Sequence, residues 1–206
     1  MRLLSKVWRE AQRSGRRLLR DRSGLAATEF AFIVPLMLVT FFATVELSAG
    51  IAVDRKVTLV ARTLSDLVSQ AVSVTDSDLK NVFSASYGVL SPYPTDTVTA
   101  TISEIYVNDA GVAKVQWSQT AKVAQNGTTI AATLTTPARK AGDTITIPNG
   151  LKVAKTYLIL SEVGYLYKPV VGYVVAPAGI TLSDLSYTRP RQSICVLYGT
   201  STCPTQ

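Results

Sequence analysis

Two carboxylates lie inside the most apolar stretch of the chain and are its most unusual chemical feature. From Leu25 to Val53 the only charged side chains are Glu29 and Glu46. An ionised carboxylate in hydrocarbon is costly, so it usually has a function or a specific partner. Glu29 either reaches the aqueous boundary or pairs with a cation from another chain. Glu46 is predicted to lie near the lipid headgroups at the far end of the stretch.

The residues that most often carry catalysis are scarce. The chain has no histidine and only two cysteines, Cys195 and Cys203, so the commonest general base and the commonest metal ligand are missing. Two thiolates are too few for a zinc site built from cysteine alone. The sequence has no phosphate-binding glycine loop and no nucleophile-elbow pattern. It therefore predicts a protein that is not an enzyme and that has no catalytic residue, metal or cofactor.

The positive charge of the chain is concentrated before Gly24. Eight basic and two acidic residues give this segment a charge of +6, out of +7 for the whole chain. A basic arm can bind nucleic acid, but beside a membrane span it more often marks the cytoplasmic side. Residues 1–24 are therefore predicted to form a cytoplasmic leader, and no nucleic-acid partner is expected.

The apolar stretch from Leu25 to Val53 is predicted to be a transmembrane helix. It contains sixteen consecutive uncharged residues, Phe30 to Val45, and a helical span needs about 20 predominantly apolar residues. Residues 54–70 carry a net charge of only +1, so residues 54–206 are predicted to lie outside the cytoplasm. A cleaved secretory signal that ends near Ser48–Gly50 is the alternative, although its apolar core would be shorter, about 7–15 residues.

Gly24 and Glu29 have the spacing of a processing signal. Cleavage after Gly24 would make Leu25 a new N-terminal amine and Glu29 the fifth residue of the mature chain. A buried carboxylate needs a partner, and the new ammonium of a neighbouring subunit in a staggered helix bundle would supply one. Between a basic leader and an apolar helix, this pattern resembles a class III prepilin processing site. The resemblance implies that a prepilin peptidase is a partner.

The segment Arg22–Leu38 resembles the TadE-like proteins of the tight-adherence (Tad) pilus system. Its sequence, RSGLAATEFAFIVPLML, contains the glycine, the Glu-Phe-Ala motif and the later proline of that family. Pro35, the matching proline, removes one backbone hydrogen bond and can kink a helix, which membranes tolerate. The likeness continues, in patches, over Ile102–Ser118, Glu162–Pro169 and Tyr187–Arg191.

The remainder of the chain is predicted to begin with helices. Apolar residues recur at helical spacing from Val57 to Ala71, and no breaker separates them from the apolar stretch. One helix is therefore predicted over Leu25–Val72, with this stripe packed in a domain core or against a partner. A second helix is predicted over Asp78–Ser86, because Thr75–Asp78 resembles a capping signal.

The later sequence predicts an antiparallel sheet, and so an α+β domain. A hairpin is predicted from β-rich runs on either side of the turn Asn108–Gly111. The predicted strands are Val98–Val107, Val112–Ala121, Tyr157–Tyr165 and Ile194–Tyr198. Asn126–Asn149 is predicted to be a surface loop with an edge ribbon at Thr144–Ile147.

Trp117 is expected to pack against the sheet, while Arg189 and Arg191 either lie on a solvated edge or contact a partner.

Cys195 and Cys203 are predicted to form a disulfide. No other intrachain pairing exists, and the topology places both residues where disulfides persist. Gly199 between them lets the chain turn back. Two free thiols on a frayed tail, or a metal pair, are the alternatives.

These features together predict a minor pseudopilin of a Tad pilus or a related secretion system, acting in pilus assembly and adhesion. It would have one span in the bacterial inner membrane, with the domain in the periplasm. The expected partners are membrane lipid, pilins, other pseudopilins and prepilin peptidase, with no small-molecule substrate. The alternative is an uncleaved single-pass envelope protein with an extracytoplasmic binding domain. The sequence leaves open whether the protein enters the fibre.

Overall fold

The computed structural model describes residues 23–126, 129–169, 178–199 and 201–203. Residues 1–22, which make up most of the predicted leader, lie outside the described residues. The chain divides into two compact units, Met1–Val45 and Glu46–Gln206. The second unit therefore begins eight residues before the predicted domain start at Asp54.

The first element is the long helix α1, Ser23–Ser69. It confirms the single helix predicted over Leu25–Val72, and it continues through Pro35. The helix ends slightly early because the Gln70 and Ala71 amides donate to carbonyls only three residues back, at 3.3 and 3.1 Å. Such bonds tighten and close the last turn of a helix. A short strand, β1, follows at Ser73–Val74.

The second helix, α2, spans Asp76–Gly88 and begins with a capping box. The Thr75 hydroxyl accepts a hydrogen bond from the Asp78 amide at 3.3 Å, and the Asp78 carboxylate accepts one from the Thr75 amide at 2.9 Å. These two bonds satisfy donors that a helix N-terminus otherwise leaves open. The predicted capping signal is therefore confirmed, and the helix is two residues longer at each end than predicted.

The later strands among the described residues are β2 Thr99–Val107, β3 Ala113–Asn126, β4 Thr129–Thr135, β5 Thr144–Ile145, β6 Thr156–Tyr167, β7 Ile180–Thr188 and β8 Leu197–Tyr198. Six of them form one antiparallel sheet in the order β4-β3-β2-β6-β7, with β5 paired to β3. A separate parallel pair joins β1 to β8. The predicted α+β class with an antiparallel sheet is confirmed.

The prediction of a loop over Asn126–Asn149 is wrong at its start. Thr129–Thr135 forms strand β4, which pairs with β3. The Ala132 amide donates to the Ser84 hydroxyl of α2 at 2.9 Å, so the helix covers this strand. The predicted edge ribbon is present as β5, and the strand predicted from Ile194 shortens to β8. Strand β7 was not predicted.

The main core lies between α1 and one face of the sheet. The predicted apolar stripe supplies Val57, Val60, Leu64 and Val68, all fully buried. Their burial confirms the core interpretation of the stripe. Trp117 on β3 is buried in the same core, as predicted for sheet packing. A smaller cluster on the opposite sheet face contains Ile105, Val107, Ala113, Ile147, Leu158 and Leu160.

Candidate processing and assembly site

The predicted cleavage point lies in the first turn of α1. The helix begins at Ser23, so Gly24 and Leu25 are both helical. Leu25 is 61% exposed, and no described atom lies within 4 Å of the position that a Cβ on Gly24 would take. Among the described residues, no atom crowds position 24, and most of the Leu25 side chain is exposed.

Glu29 is exposed one helical turn beyond Leu25. A separation of four residues puts both side chains on one face of the helix. Among the described residues, no side chain or backbone group forms a hydrogen bond or ion pair with the Glu29 carboxylate. The structure therefore brings Gly24, Leu25 and Glu29 together within two turns and leaves the carboxylate available to a group from outside the described chain.

The helix beyond Glu29 presents apolar side chains on all sides. Phe30, Phe32 and Leu36 are 68%, 81% and 65% exposed. In the described part of the chain, α1 is the one helix long and apolar enough to cross a membrane. The hydroxyl of Thr40 bonds back to the Leu36 and Met37 carbonyls at 3.0 and 2.9 Å. The Thr44 hydroxyl bonds in the same way to the Thr40 carbonyl at 2.8 Å, so both hydroxyls have partners within the helix, which suits a bilayer.

Glu46 has a partner within its own chain. The Tyr167 hydroxyl, at the end of β6, donates to Glu46 Oε1 at 2.8 Å. Gly50 lies one turn further on, and a Cβ there would be 3.7 Å from the Tyr167 ring. Burial raises the pKa of Tyr167 to about 12, so this hydroxyl keeps its proton. Glu46 therefore fixes α1 to the sheet, a role that sequence reasoning did not assign to it.

Glu104 is a buried carboxylate that sequence reasoning missed. It lies on β2, is only 2% exposed, and accepts a hydrogen bond from the Val196 amide at 2.5 Å. Burial raises the pKa of Glu104 to about 7. The alternating pattern of β2 could have predicted its burial, because Ala100 and Ile102 point into the core and Glu104 is the next residue in that series.

The C-terminal segment is held against the core from several directions. The Trp117 indole donates to the Val196 carbonyl at 2.7 Å, so both backbone groups of Val196 are bonded. A disulfide joins Cys195 and Cys203, whose Cα atoms are 6.0 Å apart. The Tyr198 hydroxyl donates to Asp76 Oδ1 at 2.5 Å at the start of α2. These contacts fix the tail on the domain.

Arg191 contacts its own chain at two points. Its guanidinium pairs with Asp66 of α1, and its amide donates to the Ser69 carbonyl at 2.8 Å. The prediction of a solvated edge describes the exposure of Arg191 and Arg189 but missed this ion pair. Arg191 thus ties the chain after β7 to the end of α1.

Arg139 and Glu162 form a second ion pair, on the sheet face opposite α1. Two parallel bonds join the guanidinium to the carboxylate, one of them 2.7 Å long from Nη2 to Oε1. The Glu162 hydrogen bond raises the pKa of Arg139. Because the two groups satisfy each other, this pair fixes the loop after β4 to the sheet. Among the described residues there is no cluster of side chains that could hold a metal ion.

Comparison with known proteins identifies the segment that carries this site. Residues 24–65 match the family model described as TadE-like protein. The match includes Gly24, Leu25, Glu29 and Pro35, and it ends within α1, before the sheet begins. It confirms the predicted resemblance over this segment. No curated protein and no solved structure matches the chain.

Proposed function

From the TadE-like match over residues 24–65, we propose that this chain is a minor pseudopilin of a Tad pilus or a related secretion system. It acts in pilus assembly and adhesion through packing and presentation, and it catalyses no reaction. The observation that carries the proposal is the exposed Glu29 carboxylate, four residues after Leu25 in an apolar helix. A carboxylate in that position needs a cation that the described part of the chain does not supply.

Processing would supply that cation. A prepilin peptidase cuts after Gly24 and removes the basic leader, so Leu25 gains a free ammonium group. In a staggered bundle, the ammonium of one subunit lies beside Glu29 of the next, where low dielectric strengthens their attraction. The exposed apolar side chains of the helix then pack against the helices of pilins and other pseudopilins.

The proposed location follows from charge and hydropathy. The protein has one span in the bacterial inner membrane, its +6 leader remains in the cytoplasm, and the sheet domain lies in the periplasm. The span from Leu25 to Val45, where the first unit ends, would cover about 31 Å at about 1.5 Å per residue. That length suits a hydrocarbon core of about 30 Å.

Glu29→Gln tests the pairing. The variant should insert at least as well as the parent chain, because it removes a charge from the membrane edge. It should lose co-purification with pilus components from solubilised membranes, because an amide cannot replace the carboxylate as counter-ion. Asp54→Asn is the matched control, since it removes an exposed carboxylate further along the same helix.

The proposal is contradicted if Glu29→Gln co-purifies and supports piliation as well as Asp54→Asn does. In that case Glu29 merely reaches the inner interface. The remaining candidate would then be an uncleaved single-pass protein with an extracytoplasmic binding domain.

A further inference from the structure

The apolar surface of α1 does not stop where the second unit begins. Leu47 and Ile51, both in the second unit, are 66% and 49% exposed. The first exposed charged residues after them are Asp54 and Arg55. On this side of the helix, the change from an apolar to a charged surface therefore lies between Ile51 and Asp54, beyond Glu46.

The other side of the same helical turns is covered by the domain. Glu46 accepts the Tyr167 hydroxyl, Gly50 lies beside the Tyr167 ring, and Val53 is fully buried in the core. The turns of α1 from Glu46 to Val53 therefore have two different sides. One side is apolar and exposed, and the other side contacts the end of β6. If the exposed side is in contact with lipid, then the end of β6 is at the depth of the bilayer surface.

The residues around this end of the sheet form a mixed surface. Tyr167 pairs in register with Ile180, the first residue of β7, and Ile180 is 47% exposed. Lys168 and Asp96 are exposed, and the Thr97 hydroxyl donates to the Leu166 carbonyl at 3.2 Å, which places residue 96 near the same strand end. In the sequence, the connection from Pro169 to Gly179 carries no charged side chain.

Tyr93 completes this surface from the loop after α2. It is partly exposed and close enough to Tyr167 to contribute to the raised pKa of that hydroxyl. Lys56 of α1 holds the loop in place by donating to the Val89 and Ser91 carbonyls at 2.9 and 2.7 Å. Tyrosine is enriched at membrane interfaces, and lysine can keep its charge among the headgroups while its stem lies on apolar surface.

We propose that this end of the domain, formed by Tyr93, Asp96, Lys168 and Ile180 near the buried Tyr167 and called here the lipid-facing rim, sits in the headgroup layer of the bilayer. Lys168 and Asp96 give the rim one charge of each sign, which suits phosphate and ammonium groups in the headgroups. Ile180 enters the apolar boundary below them. The Glu46–Tyr167 bond then lies at the edge of the hydrocarbon, where a carboxylate requires such a donor. The rim sets the depth at which the domain rests on the membrane.

Fluorescence quenching in vesicles tests the rim directly. Full-length Ile180→Cys and Val153→Cys are labelled without reductant, so that the Cys195–Cys203 disulfide stays closed, with a maleimide form of the environment-sensitive dye NBD. Val153 is the matched control because it is 44% exposed and lies beside Thr156, at the opposite end of β6. The twelve residues of β6 separate the two ends by roughly 36–40 Å.

The labelled proteins are reconstituted into phosphatidylethanolamine and phosphatidylglycerol vesicles that contain a headgroup spin-labelled phosphatidylcholine. NBD at residue 180 should be quenched several-fold more strongly than NBD at residue 153, with emission shifted to the blue. Equal, weak quenching at both positions would overturn the proposal, since the domain would then stand clear of the bilayer. Unchanged circular dichroism spectra verify that both variants are folded. The result does not depend on processing at Gly24, so it is independent of the proposed function.

Discussion

Glu29 and Glu46 are carboxylates of the same apolar helix, but their partners differ. The described part of the chain offers no partner to Glu29, whereas Glu46 accepts the Tyr167 hydroxyl. A group satisfied within its own chain stabilises the fold, while an unsatisfied one at a membrane edge is available for assembly. The two residues look alike in the sequence. Only the fold, which brings β6 to Glu46 across 121 positions, separates them.

Glu104 gives the domain a pH-dependent stability. In the unfolded chain its proton leaves near pH 4.5, but in the folded chain it leaves near pH 7, because burial raises the pKa. Between these values the folded chain binds more protons than the unfolded chain, so the free energy of unfolding falls as the pH rises. The stabilising contribution of protonated Glu104 to the free energy of unfolding is complete below about pH 4.5, and it is lost as the pH rises through 7.

Glu104→Gln should remove this pH dependence. Its amide oxygen can still accept from the Val196 amide, and it carries no charge at any pH. Above pH 7 the variant should exceed the parent chain in stability by up to about 3 kcal/mol, the order expected for a shift of this size. Urea unfolding of the full chain in detergent micelles, repeated from pH 4.5 to 8, measures the difference. A difference that stays constant over this range would show that Glu104 has no raised pKa in the fold.

Contacts between residues that are close in the sequence could be predicted, and contacts between residues that are far apart could not. Thr75 and Asp78 are three positions apart, so the capping box can be identified from the sequence. Glu104 and Val196 are 92 positions apart, and no sequence pattern near Glu104 indicates that the Val196 amide donates to its carboxylate in the core. The Arg191–Asp66 pair escaped prediction for the same reason, since it spans 125 positions.

Among the elements, α1 was predicted well and two strands were not. The first half of the helix is apolar on all sides, its second half carries a helical stripe of buried residues, and no effective breaker interrupts it. Strand β4 consists of Thr, Ala, Ile and Leu, and its small side chains give a weak pattern. It is a strand because β3 pairs with it and α2 covers it. Strand β7 carries Ser186 and Thr188 on its inner side, which bond to Ser65 of α1 at 3.0 Å each. Polar residues that bond inward conceal the alternation of a strand.

The C-terminal tail depends on the Cys195–Cys203 disulfide. The bond closes a short loop, because the two cysteines are eight positions apart, and on the chain-entropy estimate it stabilises the fold by roughly 2–3 kcal/mol. The protein is isolated with its domain on the periplasmic side and is then unfolded without reductant. Thiol labelling of this sample should find both cysteines unreactive. Full labelling of both would mean that the tail is not cross-linked, and it would weaken the assignment of this domain to the periplasm. Labelling after reduction serves as the positive control.

At the scale of the whole molecule, one helix serves two units with different surroundings. Its first half, through Val45, exposes apolar side chains, and its second half supplies the core of the sheet domain. The sequence predicted this continuity because the apolar stretch and the amphipathic stripe join without a break. The second unit begins at Glu46, eight residues before Asp54, where the sequence predicts the domain to begin. No local signal in the sequence reveals that Tyr167 contacts the helix at Glu46.

If processing occurs after Gly24, α1 becomes the N-terminus of the mature protein. Intact-mass and N-terminal analysis of the protein purified from membranes of cells with an active prepilin peptidase measures this end of the chain. The chain should begin at Leu25, and Gly24→Val should keep its leader, because a branched side chain replaces the glycine at the cleavage point. A chain that still begins at Met1 in those cells would rule out the proposed processing, and with it the pairing of Glu29 with a new ammonium group.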